Sequence, residues 1–189
     1  MAVVDLAGFI AGLKDHADEH GFHIHDERHF VETYSMRQAF EVDLHPEAAC
    51  GGPVDLHLSL DVEPRTLMAF EDEIVGLPEG SEPSDDLVVQ LIFSWVLPPL
   101  DNSPDLLILA TDLAGIGGLE FPTEVSAVDS FASVTDPPQR SLAVTARLEV
   151  PLSSVYRAAE ATQVCEALDQ CRAISEYLLD RAPAWLGEM

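Results

Sequence analysis

The sequence predicts an α+β chain in which an antiparallel sheet packs against helices and a long C-terminal helix closes the fold. Three observations carry this. Residues 54–62 alternate, with Val54, Leu56, Leu58, Leu60 and Val62 on one side and Asp55, His57, Ser59 and Asp61 on the other. That period of two marks a half-buried antiparallel strand. Residues 141–150 repeat it through Leu142, Val144, Ala146, Leu148 and Val150. After Pro151, Val164, Leu168, Cys171, Ile174 and Leu178 recur at helical spacing, an apolar stripe on one helix face.

The remaining elements follow in chain order. Residues 3–20 read as a helix through Val4, Leu6, Phe9, Ile10 and Leu13, with Gly21 as its stop. A strand is expected over 22–34, with a bulge or turn where the alternation slips at Asp26 to Arg28. Residues 37–45 alternate again, and the loop holding Pro46, Gly51, Gly52 and Pro53 predicts a hairpin with 54–62. Pro64 ends that strand; Leu67, Phe70, Ile74 and Val75 then give a short helix over 66–75. The polar run 78–86 is an exposed connection. Residues 87–97 contain only Gln90 and Ser94 as polar positions and read as a strand buried on both faces. Ser103-Pro104-Asp105 opens a helix over 103–114, although LLILAT also suits a strand. A strand is expected near 125–134. Ser153 or Ser154 is expected to cap the closing helix, which runs to about Arg181 and ends at Pro183. Trp185 and Leu186 lie beyond it as an apolar tail. No fixed-period repeat and no long linker appears, so 1–189 reads as one domain.

Charge excludes whole classes of function. The chain has 9 Lys and Arg against 34 Asp and Glu, a formal net charge of −25. No basic stripe is present to replace the counterions of a nucleic acid, and an anionic membrane repels such a surface. The 47% apolar content supplies a core, against disorder throughout. Between Arg65 and Arg140 there are 14 acids and no Lys or Arg. This is either a solubilising face or a docking surface for a basic partner.

The start, MAVVDLAGFIAGLKD, lacks a basic n-region, and Asp5 interrupts its apolar run, so no signal peptide is read. Leu87 to Leu100 is too short and too interrupted to span a bilayer. Of three cysteines, Cys165 and Cys171 sit six apart on one helix and face different ways. Cys50 has no basic neighbour in sequence that would make it a reactive thiol. These features predict a reduced, cytoplasmic protein.

All seven histidines fall within the first 57 residues. His16 and His20 are one helical turn apart, and His23 and His25 share a strand face. His45 and His57 lie on the polar side of the predicted hairpin. Pairing residue 43 with 57 gathers Asp43, His45, Asp55 and His57 into one cross-strand patch. Two imidazoles with carboxylates suit Zn, Fe, Mn or Ni, so this patch is the candidate divalent-metal site. The alternative is a solvated hairpin face that holds nothing. No HExxH or CxxC motif is present; in His16-Ala17-Asp18-Glu19-His20 the Glu falls one place late. Gly115–Gly118 matches no nucleotide fingerprint and reads as a turn. No G-x-S-x-G or S-x-x-K occurs, and the carboxylates are too many for an acid–base pair to be singled out.

Three function classes remain. The first is an acidic, non-catalytic protein-interaction protein. Its order of helix, three strands, helix, further strands and long closing helix resembles that of the type III secretion chaperone-like fold. The resemblance implies a small acidic homodimer that binds a protein partner; residues 98–138 extend beyond that pattern. The second is a divalent-metal-binding protein or metal-dependent enzyme using the N-terminal histidines. The third is a mimic of nucleic-acid charge that occupies a basic site on another protein.

Overall fold

The computed structural model describes residues 4–35, 37–135, 137–157 and 162–187. Helix α1 (Leu6–Glu19) is capped by Asp5, whose carboxylate accepts the Gly8 N–H at 2.8 Å. It buries Leu6, Ile10, Leu13 and Ala17. Gly21, at φ +80°, turns the chain into β1 (Phe22–Val31). Strands β1, β2 (Gln38–Pro46) and β3 (Asp55–Val62) form an antiparallel meander. A 3-10 turn (Glu47–Ala49) follows β2. Helix α2 (Pro64–Gly76) starts on a proline, whose missing N–H costs nothing in the first turn. It leads to β4 (Val88–Val96), which pairs with β3. Helix α3 (Leu106–Gly117) is capped by Asp105. Strand β5 (Thr123–Ser130) pairs with β6 (Gln139–Pro151). A short α4 (Leu152–Tyr156) and the long α5 (Thr162–Leu186) close the chain.

The six-stranded antiparallel sheet has the order β1-β2-β3-β4-β6-β5. Its inner face carries Phe40, Val42, Leu56, Leu58, Leu60, Leu91, Phe93, Trp95, Val144 and Val150, all buried in one core that runs from Val4 to Trp185. Each fully buried Leu or Phe contributes about 1.5–3 kcal/mol. Helix α5 supplies Leu168, Cys171, Ile174 and Leu178 to this core and packs on α1, α3 and β2. The α+β architecture, the antiparallel sheet, its helical layer and the long C-terminal helix are those the sequence predicts.

Four local expectations change. Strand β4 is buried on one face only: Val89, Leu91, Phe93 and Trp95 point inward, whereas Ile92 is half-buried and Val96 exposed. An apolar run in a central strand does not require cover on both faces. The bulge lies between Ile24 and Asp26, slightly earlier than expected. The closing helix is two helices. Ser153 is fully buried, donates to Asp85, and sits inside α4 rather than capping α5. Residues 158–161 lie outside the described ones. Pro183 does not end α5, because Ala182 and Trp185 are buried in the core and hold the last turn in place. The expected tail is therefore docked, and the Trp185 carbonyl accepts the Asn102 N–H at 2.8 Å. No described helix is long and apolar enough to cross a membrane.

Candidate functional site

The outer face of the sheet carries the predicted patch. Asp43 and His57 are direct cross-strand partners, as the hairpin register requires. His57 Nδ1 lies 2.5 Å from Asp43 Oδ1. The same carboxylate receives Arg28 Nη2 at 3.0 and 3.1 Å. His25, Asp43, His45, Asp55 and His57 line one hollow of about 260 Å³. All four predicted residues thus share a hollow, but they do not converge on one point. The guanidinium of Arg28 already occupies Asp43, and a cation would compete with it there.

His45 is the buried member of the four. It is only 8% exposed, and its Nδ1 lies 3.1 Å from the Pro46 carbonyl oxygen. A carbonyl can only accept, so Nδ1 carries the proton and Nε2 of the neutral ring keeps the lone pair. His25, at the bulge, packs against His45 with ring centroids 4.2 Å apart and the ring planes tilted by 47°. His23 is the direct cross-strand partner of His45. Its Nδ1 is 3.2 Å from Cys50 Sγ, and its Nε2 is 3.2 Å from Glu47 Oε1. One ligand atom each from His23, His45 and Cys50 lie within 4.8 Å of one another, the one such group of three among the described residues.

Local structure fixes this corner. The Glu47 N–H donates to the Gly21 carbonyl at 3.0 Å, which ties the 3-10 turn to the α1–β1 turn. The Cys50 N–H donates to the Glu47 carbonyl at 3.2 Å. Gly51, at φ +72°, then lets the chain leave. Sequence reading missed Cys50 because its basic neighbour is 27 residues away. Pairing β1 with β2 in register, so that His23 faces His45, was the signal that would have found it.

The other histidines are separately engaged. His16 faces Glu19 at 3.4 Å and His20 faces Asp169 on α5 at 2.9 Å, so that helical pair does not share a cation. His29 stacks on Phe40 at 4.0 Å, with the ring planes 10° apart.

A second feature lies at the opposite end of the sheet. Strand β5 pairs with β6 only as far as Thr123 opposite Ala146. Arg147–Pro151 run on with β4 as their one strand neighbour among the described residues. Beside this stretch is an open groove of about 900 Å³. Pro122 and Glu120 close one end; Gln163, Glu166, Ala167 and Gln170 of α5 form the far wall. Four carboxylates line it, those of Glu120, Glu149, Glu166 and Asp169, against one cation, Arg147. Arg147 lies 3.9 Å from Glu124, while Asp169 is engaged by His20 and Arg172.

No protein-family model, curated protein or solved structure matches the chain.

Proposed function

We propose that the chain is an acidic, non-catalytic protein-interaction protein whose groove between β6 and α5 takes an extended basic segment of a protein partner. The observation that carries this is the open backbone edge of β6 over Arg147–Pro151, facing a wall of carboxylates. An added strand satisfies the free edge through main-chain hydrogen bonds, and side-chain charge supplies selectivity. At about 3.4 Å per residue the open edge accepts a segment of roughly five residues. The acid excess supports the same reading, since long-range attraction speeds encounter with a basic partner. A secretion-chaperone-like role and a homodimer belong to this proposal through the element order, and light scattering reads the oligomeric state. Three free cysteines support a reducing, cytoplasmic setting.

The test is fluorescence anisotropy with labelled extended hexapeptides, one Lys- and Val-rich and one Glu- and Val-rich. The basic peptide is expected to bind, to weaken as salt rises from 0.05 to about 0.3 M, and to be lost in Glu149→Lys/Glu166→Lys. Equal binding of both peptides, or binding untouched by the double variant, removes the proposal.

A further inference from the structure

We propose that His23, His45 and Cys50 form a transition-metal site for a borderline-soft divalent ion, with zinc(II) the best fit. This goes beyond the interaction groove and shares only His45 with the patch that the sequence suggests.

The donor set selects the ion class. Two imidazoles and one thiolate suit Zn and its neighbours, whereas Mg, Ca and Mn prefer all-oxygen sites. Tetrahedral zinc, with bonds of about 2.0–2.1 Å to nitrogen and 2.3 Å to sulfur, places its donors about 3.3–3.7 Å apart. His23 Nδ1 and Cys50 Sγ already stand 3.2 Å apart. All three donors fall within 4.8 Å, so side-chain shifts on the order of 1 Å close the site.

The outer hydrogen bonds are those a metal site needs. Glu47 accepts at Nε2 of His23, and the Pro46 carbonyl accepts at Nδ1 of His45. Each ring therefore holds its proton on the nitrogen away from the cluster. Nδ1 of His23 and Nε2 of His45 are left with lone pairs. A carboxylate or carbonyl in that outer position sets the tautomer and raises ligand basicity. In the metal-free protein the Cys50 S–H donates to His23 Nδ1. Metal uptake breaks that S–H bond and forms a metal–sulfur bond; one proton passes to solvent for each ion bound, with no change of oxidation state. The ligands sit on paired strands and a pinned turn, and the bulge brings His25 against His45 as a wall.

The test uses full-length protein without a histidine tag, stripped with chelator and titrated with Co(II) and then Zn(II). One equivalent of Co(II) is expected, with a thiolate-to-cobalt charge-transfer band that Zn(II) abolishes and one proton released per ion. Cys50→Ser removes the band and His23→Asn removes tight binding. Both positions are exposed, and circular dichroism of the two variants confirms an unchanged fold. Glu47→Gln weakens binding about tenfold. Asp43→Asn and His57→Asn leave it unchanged. Absence of the band, its persistence in Cys50→Ser, or loss of binding in Asp43→Asn or His57→Asn overturns the assignment.

Discussion

The indole N–H of Trp95, near the C-terminal end of β4, donates to the hydroxyl of Ser175 on α5 at 2.8 Å, and both residues are fully buried. Ser175 Oγ in turn donates to the Cys171 carbonyl at 2.8 Å. This chain sets the register of the closing helix on the sheet, since it is the point where two buried polar side chains must meet. Ser175→Ala leaves the indole donor without a partner in the core. A buried unsatisfied donor costs about 1–3 kcal/mol, so the urea midpoint is expected to fall accordingly. The double variant Trp95→Phe/Ser175→Ala should lose less than the sum of the losses of the two single variants. Additive losses in that double-mutant cycle show that the pair is not coupled.

Much of this arrangement is legible in the residues. Strands β2, β3 and β6 follow from alternation alone, and the contact of Asp43 with His57 follows from the hairpin register. Three things escape for identifiable reasons. Strand β4 is apolar at outward positions such as Ile92 and Val96, so its pattern does not report which face is covered. The stripe from Val164 to Leu178 marks α5 but not where it begins, so it does not report the separate α4 (Leu152–Tyr156) before it. Cys50 and His23 meet only because β1 pairs with β2 and the turn folds back to Gly21, a tertiary event with no local signature.

Acid sensitivity is expected from two strand-end pairs. Arg37 Nε donates to Asp61 Oδ1 at 2.8 Å, joining the start of β2 to β3. Arg140 grips Asp129 across β5 and β6 at 2.6 and 2.7 Å. The hydrogen bonds from arginine, aided by its charge, hold both carboxyls below the usual aspartate range. A carboxyl lowered in the folded state contributes stability above its unfolded pKa of about 3.9, and that contribution disappears as pH falls through the folded value. Both pairs are partly exposed, so solvent screens them. Urea midpoints of the wild type and of Asp61→Asn/Asp129→Asn should converge between about pH 4 and pH 2. A constant gap over that range contradicts the assignment.

Alkaline behaviour has the opposite sign. The Tyr177 hydroxyl donates to Asp112 at 2.5 Å, and the guanidinium of Arg181 sits 3.8 Å above its ring. Burial first, and then the Asp112 hydrogen bond, push the phenol up to about 12 despite the opposing arginine. The folded state thus favours the protonated phenol. Its contribution is complete below the unfolded value of about 10 and is lost as pH rises toward the folded one. Difference absorbance should show a phenol ionising near pH 12 that disappears in Tyr177→Phe, and stability should fall more steeply above pH 10 in the wild type than in the variant. A variant with the wild-type titration curve rules out Tyr177 as the source.

Salt is expected to stabilise this protein. With 34 acidic and 9 Lys and Arg side chains, perfect pairing still leaves 25 carboxylates without a Lys or Arg partner. The ion pairs are mostly exposed, as with Arg37–Asp61 and Arg157–Glu82, and each such pair contributes about 0–1 kcal/mol. Repulsion among the surplus acids acts over the Debye length, which shrinks from about 30 Å at 0.01 M to about 10 Å at 0.1 M salt. Added NaCl therefore weakens many long-range repulsions while costing a few short attractions. The melting temperature should rise with NaCl, most steeply below about 0.3 M. Reversing charge at Glu79 and Asp86, the two acids of the 78–86 connection outside the Arg157 pairs, to lysine should flatten that rise. A melting temperature that falls with salt means that the ion pairs outweigh the net charge.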